Sequence, residues 1–139
     1  MGDVASLVAK RAVTLVDLPV ETPVASLFWT GETVLGMIRD AAAAYDGQDA
    51  ERAMAVRNRD GRVDAAETSL FREFLTYMME SPSQITGCTH LLFVAKSIER
   101  AGEHATNVAE NICCIVRGRL PSEERAKGDL SSFTVVERQ

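Results

Sequence analysis

The chain reads as an all-α protein, an antiparallel three-helix bundle preceded by the remnant of another helix. Two long stretches carry apolar residues at helical spacing. Between two of the expected helices, Ser81-Pro82-Ser83-Gln84 combines an N-cap, a proline at the first helical position and a capping-box glutamine. Gly118 supplies a stop for the last one.

Met1–Val13 is expected to be the end of a helix, followed by a linker over 14–23 with Leu15–Glu21 extended. Thr22 as N-cap and Pro23 at the first position start the first complete helix. Val24, Leu27, Phe28, Val34, Leu35, Ile38, Ala42 and Tyr45 continue it at helical spacing. Asp46-Gly47-Gln48 reads as a turn, and Asp49 can cap a second helix running to about Glu80. Gly61 would lie inside that helix at a cost of roughly 1 kcal/mol against alanine.

The third helix carries Leu91, Ile98, Ala105 and Ile112 seven apart, with Val94, Ala101, Val108 and Ile115 between them. That is a heptad seam on a rod on the order of 50 Å long. Short connections force the three helices of 24–118 up, down and up. The polar segment 119–139, with Pro121 and Gly128, is expected to be poorly ordered.

An internal repeat runs through this pattern. Gly102, Glu103, Ala105, Thr106, Val108 and Ala109 match Gly2, Asp3, Ala5, Ser6, Val8 and Ala9 in identity or close chemistry, at a constant offset of 100 residues. The first copy begins partway through a helix, so the chain is expected to lack the start of a first unit. Val4, Val8 and Ala12 would then seek cover, and self-association is the expected outcome.

With 46% hydrophobic and 25% charged residues in 139, the chain can bury a core. Its net charge of −5 argues against a nucleic-acid partner, which normally draws on a surplus of Lys and Arg. The odd cysteines Cys88, Cys113 and Cys114 sit in apolar helical stretches, as reduced core thiols of a cytoplasmic protein do. No segment approaches the roughly 18 apolar residues of a membrane span, so membrane insertion is not expected. The opening Met-Gly-Asp-Val-Ala-Ser fits an N-myristoylation pattern, but the repeat already accounts for Gly2.

The candidate chemistry lies in acids. Asp60 and Asp64 are four apart, as are Glu99 and Glu103, which places each pair on one helical face. Their midpoints are equidistant from the Ser81-Pro82 turn, so the four carboxylates should come level in an antiparallel hairpin. Glu99 and Glu103 lie off the heptad seam, and the cluster is expected to face solvent or a partner. Such charge repels itself unless solvated, protonated or bridged by a hard cation. Asn107 and Glu110 extend the surface on the third helix and Glu67 on the second, whereas Asp3 would be the lone acid of the first copy. The plainer reading is a solvated charged face.

In Asp60-x-x-x-Asp64, Leu70-Phe71-Arg72-Glu73, Tyr77-Met78-Met79-Glu80 and Ile98-Glu99-Arg100-x-Gly102-Glu103-His104-x-x-Asn107, the chain resembles the PhoU family of phosphate-transport regulators, nearly throughout the sequence up to Gly118. The resemblance implies two similar three-helix units, surface metal clusters held by E/D-x-x-x-D motifs, and a cytoplasmic dimer. It implies a non-enzymatic signalling role linking a phosphate ABC transporter ATPase to a sensor histidine kinase. Carried over by position, Asp60, Asp64, Glu99 and Glu103 would hold a divalent or iron-type metal, with Asn107 and Glu110 nearby. Glu103 departs from the family's usual aspartate.

Three rival readings compete. A plain helical scaffold needs no metal. The stretch Val56-x-Asn58-x-Asp60-Gly61-x-Val63-Asp64-x-x-Glu67 approximates a calcium-binding EF-hand, although valine offers no oxygen at the first ligand position. A di-iron bundle would need Glu-x-x-His, which no glutamate here satisfies. His90 and His104 read as ordinary helix residues, Cys113 and Cys114 point about 100° apart and make poor joint ligands, and Phe28 and Trp29 read as core or dimer surface.

Overall fold

The structure is a computed structural model that describes residues 1–18, 24–119 and 121. Among the described residues five α-helices follow one another: α1 (Gly2–Val16), α2 (Ala25–Gly47), α3 (Ala50–Arg57), α4 (Asp60–Glu80) and α5 (Ile85–Arg117). A single 3₁₀ turn, Pro82–Gln84, joins α4 to α5. No strand occurs among the described residues. The expected bundle is present, with α2, the broken rod α3–α4, and α5 as its three members.

Most boundaries follow the local chemistry. Gln48 ends α2 in the left-handed conformation at φ 48°, and the Asp49 side chain accepts from Arg52 N at 3.0 Å to cap α3. Gly118, at φ +70°, closes α5 where a left-handed residue is needed. Thr22 and Pro23, the expected start of α2, lie outside the described residues.

Three expectations about the elements are corrected. Helix α1 continues through Leu15 and Val16 instead of turning extended there, so the extended segment cannot begin at Leu15. The expected single helix from Asp49 to Glu80 is broken after Arg57, where Arg59 N and Arg62 N reach back only three residues, to Val56 O and Arg59 O. Asn58 and Gly61 both favour departure from regular helix, so the break sits where propensity is weakest. At the α4–α5 turn Ser81 makes no side-chain cap; its hydroxyl pairs with Ser83 at 2.9 Å, and Gln84 is buried.

Helix α5 is the common packing partner of α1, α2, α3 and α4. One core cluster gathers Val34, Met37, Ala41 and Ala44 of α2, Ala53 and Val56 of α3, Val63 of α4, and Ala101, Ala105, Ala109 and Ile112 of α5. The other gathers Leu27, Leu70, Phe74, Cys88, Leu91, Val94 and Ala95. The heptad seam holds at Leu91, Ala105 and Ile112, but Val108 and Ile115 are exposed. A straight α-helix drifts about 20° per heptad, and the buried residues of α5 instead recur eleven apart, as Leu91, Gly102 and Cys113 do.

The two repeat copies bury opposite faces. In α5, Ala105, Thr106 and Ala109 are buried and Val108 is exposed, whereas in α1 their counterparts Ala5, Ser6 and Ala9 are exposed and Val8 is half-buried. Helix α1 packs on α5 through Val4, Val8 and Leu15, running antiparallel to its first half. Val4 and Val8 therefore find cover within the chain, while Ala12 stays exposed as expected. Phe28 and Trp29 are 62% and 68% exposed and meet edge to face at 5.8 Å, so they form surface and not core.

Phe74 is completely buried between α4 and α5. Truncation to alanine should cost about 3–5 kcal/mol, through lost burial and a residual cavity. Urea unfolding followed by circular dichroism checks this as a lowered midpoint.

Candidate functional site: an acidic seam between two helices

The inward stripe of α4 changes character along its length. Its first half presents Asp60, Val63, Asp64, Glu67 and Thr68, and its second half presents Leu70 and Phe74. Helical spacing places all of these on one face, so packing the apolar half against α5 carries the acids into the same interface. Asp60, Asp64, Glu67 and Glu99 are accordingly 2%, 4%, 3% and 4% exposed. The expectation that these acids face solvent is overturned.

The seam is closed partly by hydrogen bonding. Thr106 Oγ1 donates to Asp60 Oδ1 at 2.9 Å, and Thr106 is itself fully buried. Asp60 therefore pairs roughly one turn beyond Glu103, the residue expected level with it. Asp60 and Thr106 are equidistant in sequence from Ser83, so the hairpin reverses within the 3₁₀ turn Pro82–Gln84 and not between Ser81 and Pro82.

Glu99 sits in an electrostatic conflict within the seam. Burial pushes its carboxyl above the ordinary value of 4.5, and the nearby negative charges of Glu103 and Asp64 push the same way. Lys96, one turn earlier, opposes the shift. Its ammonium lies 3.2 Å from Glu99 Oε2 in an ion pair, and no other donor among the described residues reaches that buried oxygen.

The flanking residues divide. Glu110 is taken by Arg57, whose Nε donates to Oε1 at 3.0 Å, with the guanidinium buried against α5. Asn107 is exposed on α5. Asp3 is exposed on α1 and pairs with the Met1 amino group at 3.3 Å, which holds its carboxyl below the ordinary range, so it does not join the seam. Sequence reasoning missed Thr106, whose hydroxyl gave no signal beyond its place in the repeat. It also missed Asp40, which ties α2 to the α3–α4 junction by accepting from Arg52 at 2.8 Å and from Arg59. Those two guanidiniums hold its carboxyl below the ordinary range.

The EF-hand reading fails on this geometry. Val56 is fully buried in the core, α3 runs on to Arg57, and Gly61 and Asp64 lie within α4, so no twelve-residue loop exists. Oxygen donors of this kind suit a hard cation. As the side chains stand, however, no group of three or more His, Cys, Asp or Glu among the described residues is arranged to hold a metal ion.

A helical bundle whose two long rods enclose a row of carboxylates defines the class: an all-α domain with a charged interior seam. Comparison with known proteins makes that class specific. The PhoU domain profile matches residues 29–112, and the chain belongs to that family. It is 44% identical over 132 residues to a phosphate-specific transport system accessory protein PhoU homolog of Xylella fastidiosa (strain 9a5c), covering 95% of this chain and 56% of that relative. A Rhizobium meliloti (strain 1021) protein of the same name is 44% identical over 133 residues, with the same coverage. The Pseudomonas aeruginosa homolog is 37% identical over 120 residues, covering 85% of this chain and 49% of the relative. The chain thus spans about half the length of these relatives.

The raised Glu99 carboxyl sets a pH dependence in metal-free protein. A folded-state value above the unfolded one gives a contribution to stability that is full at low pH and lost as pH rises through the folded value. Glu99→Gln should therefore raise the urea midpoint at pH 7.5 by an amount that shrinks steadily towards pH 4.5. Parallel pH profiles for the two proteins would refute the assignment.

Proposed function

We propose that this chain acts in the cytoplasm as a non-enzymatic regulator of phosphate uptake and phosphate-starvation signalling, through contacts with a phosphate ABC transporter ATPase and a sensor histidine kinase. The observation that carries this reading is the 44% identity, across 95% of the chain, to relatives named as accessory proteins of the phosphate-specific transport system. The exposed pair Phe28 and Trp29 on α2 supports a binding role, since aromatic side chains dominate protein–protein contact energies. No helix of the described residues is long and apolar enough to cross a membrane, so contact with a transporter would run through its water-exposed parts. Self-association belongs to the same reading, with the exposed outer face of α1 as its surface.

In a bacterium deleted for its own accessory protein, expression of this chain should restore repression of a phosphate-starvation reporter under phosphate excess. A reporter that stays fully active, with the chain present at normal abundance, would remove the regulatory reading.

We propose further that the acidic seam takes a divalent or iron-type cation at Asp64, Glu99 and Glu103. The support is electrostatic: Glu99 has a buried oxygen that accepts no hydrogen bond and two carboxylate neighbours that disfavour its charge, a conflict that a bound cation relieves. A small adjustment of side chains is required, because the donors do not converge as they stand. Elemental analysis after purification with manganese or iron should find metal in the wild type and much less in Asp64→Asn/Glu99→Gln. Equal metal content in both would discard the cation while leaving the regulatory role intact.

A further inference from the structure

We propose that the contact between α1 and α5 is a pH-sensitive latch, in which the guanidinium of Arg11 docks only on a neutral His90, so that acidification frees α1 from the bundle. The geometry is specific. Arg11 places one terminal nitrogen 3.0 Å from His90 Nδ1, and its guanidinium carbon lies 4.1 Å from the centre of the Phe93 ring. His90 and Phe93 are three residues apart on α5 and share one face of it, so a single arginine grips two consecutive landmarks.

An arginine only donates hydrogen bonds and keeps its charge at any biological pH. Nδ1 of His90 must therefore present its lone pair, with the ring proton on Nε2. Protonation of the ring reverses this arrangement twice over. It turns Nδ1 into a donor facing a donor, and it sets a second positive charge against the guanidinium. Histidine is the side chain whose ordinary titration falls between pH 5 and 8.

The surroundings offer the imidazolium no compensation. From α1 the facing charge is Arg11. Among the described residues no other hydrogen bond, ion pair or electrostatic contact reaches His90 from α2, α4, the 3₁₀ turn or the rest of α5. A proton on the ring therefore opposes the docking of Arg11 with no local anion to offset it.

The latch matters because α1 has little else to hold it. Its buried and half-buried apolar contacts are Val4, Val8 and Leu15. Its first half forms one wall of an apolar groove, opposite Leu27 and Phe28 of α2 and above Ile98 of α5. Departure of α1 would open that groove and bare Leu27 and Ile98, converting a change in proton concentration into a newly exposed apolar surface.

Hydrogen–deuterium exchange of the whole chain at pH 7.5 and pH 5.5 tests this, each rate being divided by that of an unstructured peptide at the same pH. Protection of the α1 amides should fall roughly tenfold at the lower pH, the equilibrium worth of one hydrogen bond to a charged group. Protection of α2 and α4 should not change. His90→Gln, whose side-chain oxygen accepts from Arg11 at either pH, should abolish the difference, and His104→Gln, altering the chain's other histidine, should preserve it. Arg11→Met keeps apolar cover on Phe93 but removes the donor, so α1 should exchange quickly and equally at both values. Equal protection of wild-type α1 at the two pH values overturns the latch, as does a difference that survives in His90→Gln. Should His90→Gln fail to fold, a pH difference persisting in Arg11→Met overturns it equally.

Discussion

Helix α5 has to touch every other helix of the bundle, and it can do so only because its buried face is small. Gly102 is a point of close approach. A Cβ there would stand 3.4 Å from Val63 Cγ1 and 3.5 Å from Val34 Cγ2, so α2 and α4 close around α5 at its level. Ala101, Ala105 and Ala109 continue the narrow face in both directions. Larger residues would push α2 and α4 outward, and small faces let helices approach towards the near end of the usual 8–10 Å separation.

That close approach explains why carboxylates are buried at all. Helix α4 needs Leu70 and Phe74 against α5 for core, and the same stripe about one, two and three turns earlier carries Glu67, Asp64 and Asp60. The apolar half of the stripe draws the acidic half inward. The fold meets the cost at Asp60 with the Thr106 hydroxyl, and at Glu99 only with an ion pair from a half-exposed lysine. Buried charge of this kind destabilises unless fully paired. The tension therefore gathers at Glu99 and the carboxylates of Asp64 and Glu103 beside it.

Charge elsewhere serves to join elements. Arg57 reaches from the end of α3 to Glu110 of α5, and Asp40 of α2 draws in both Arg52 and Arg59. These contacts bracket the break between α3 and α4. They tie the end of α3 to α5 and the α3–α4 junction to α2. Arg11 performs the corresponding task for α1 with a neutral partner, which makes that joint responsive where the others are constitutive.

The helical class, the turn at Gln48, the Asp49 cap and the stop at Gly118 were legible in the sequence because each depends on a few neighbouring residues and their own backbone preferences. That Asp60 shares a face of α4 with Asp64, and Glu99 a face of α5 with Glu103, was legible too, since spacing of four residues fixes a helical face. The burial of Asp60, Asp64 and Glu99 was not. Whether a helical face points to solvent depends on what packs against it, and here Leu70 and Phe74 on one helix and Gly102 on another decide that together. The opposite faces used by the repeat copies have the same origin: Ala5 and Ala105 are the same residue in the same local pattern, but α5 is enclosed by four helices and α1 rests mainly on one. Local sequence set where helices begin and end; tertiary contact alone determined which side of each became interior.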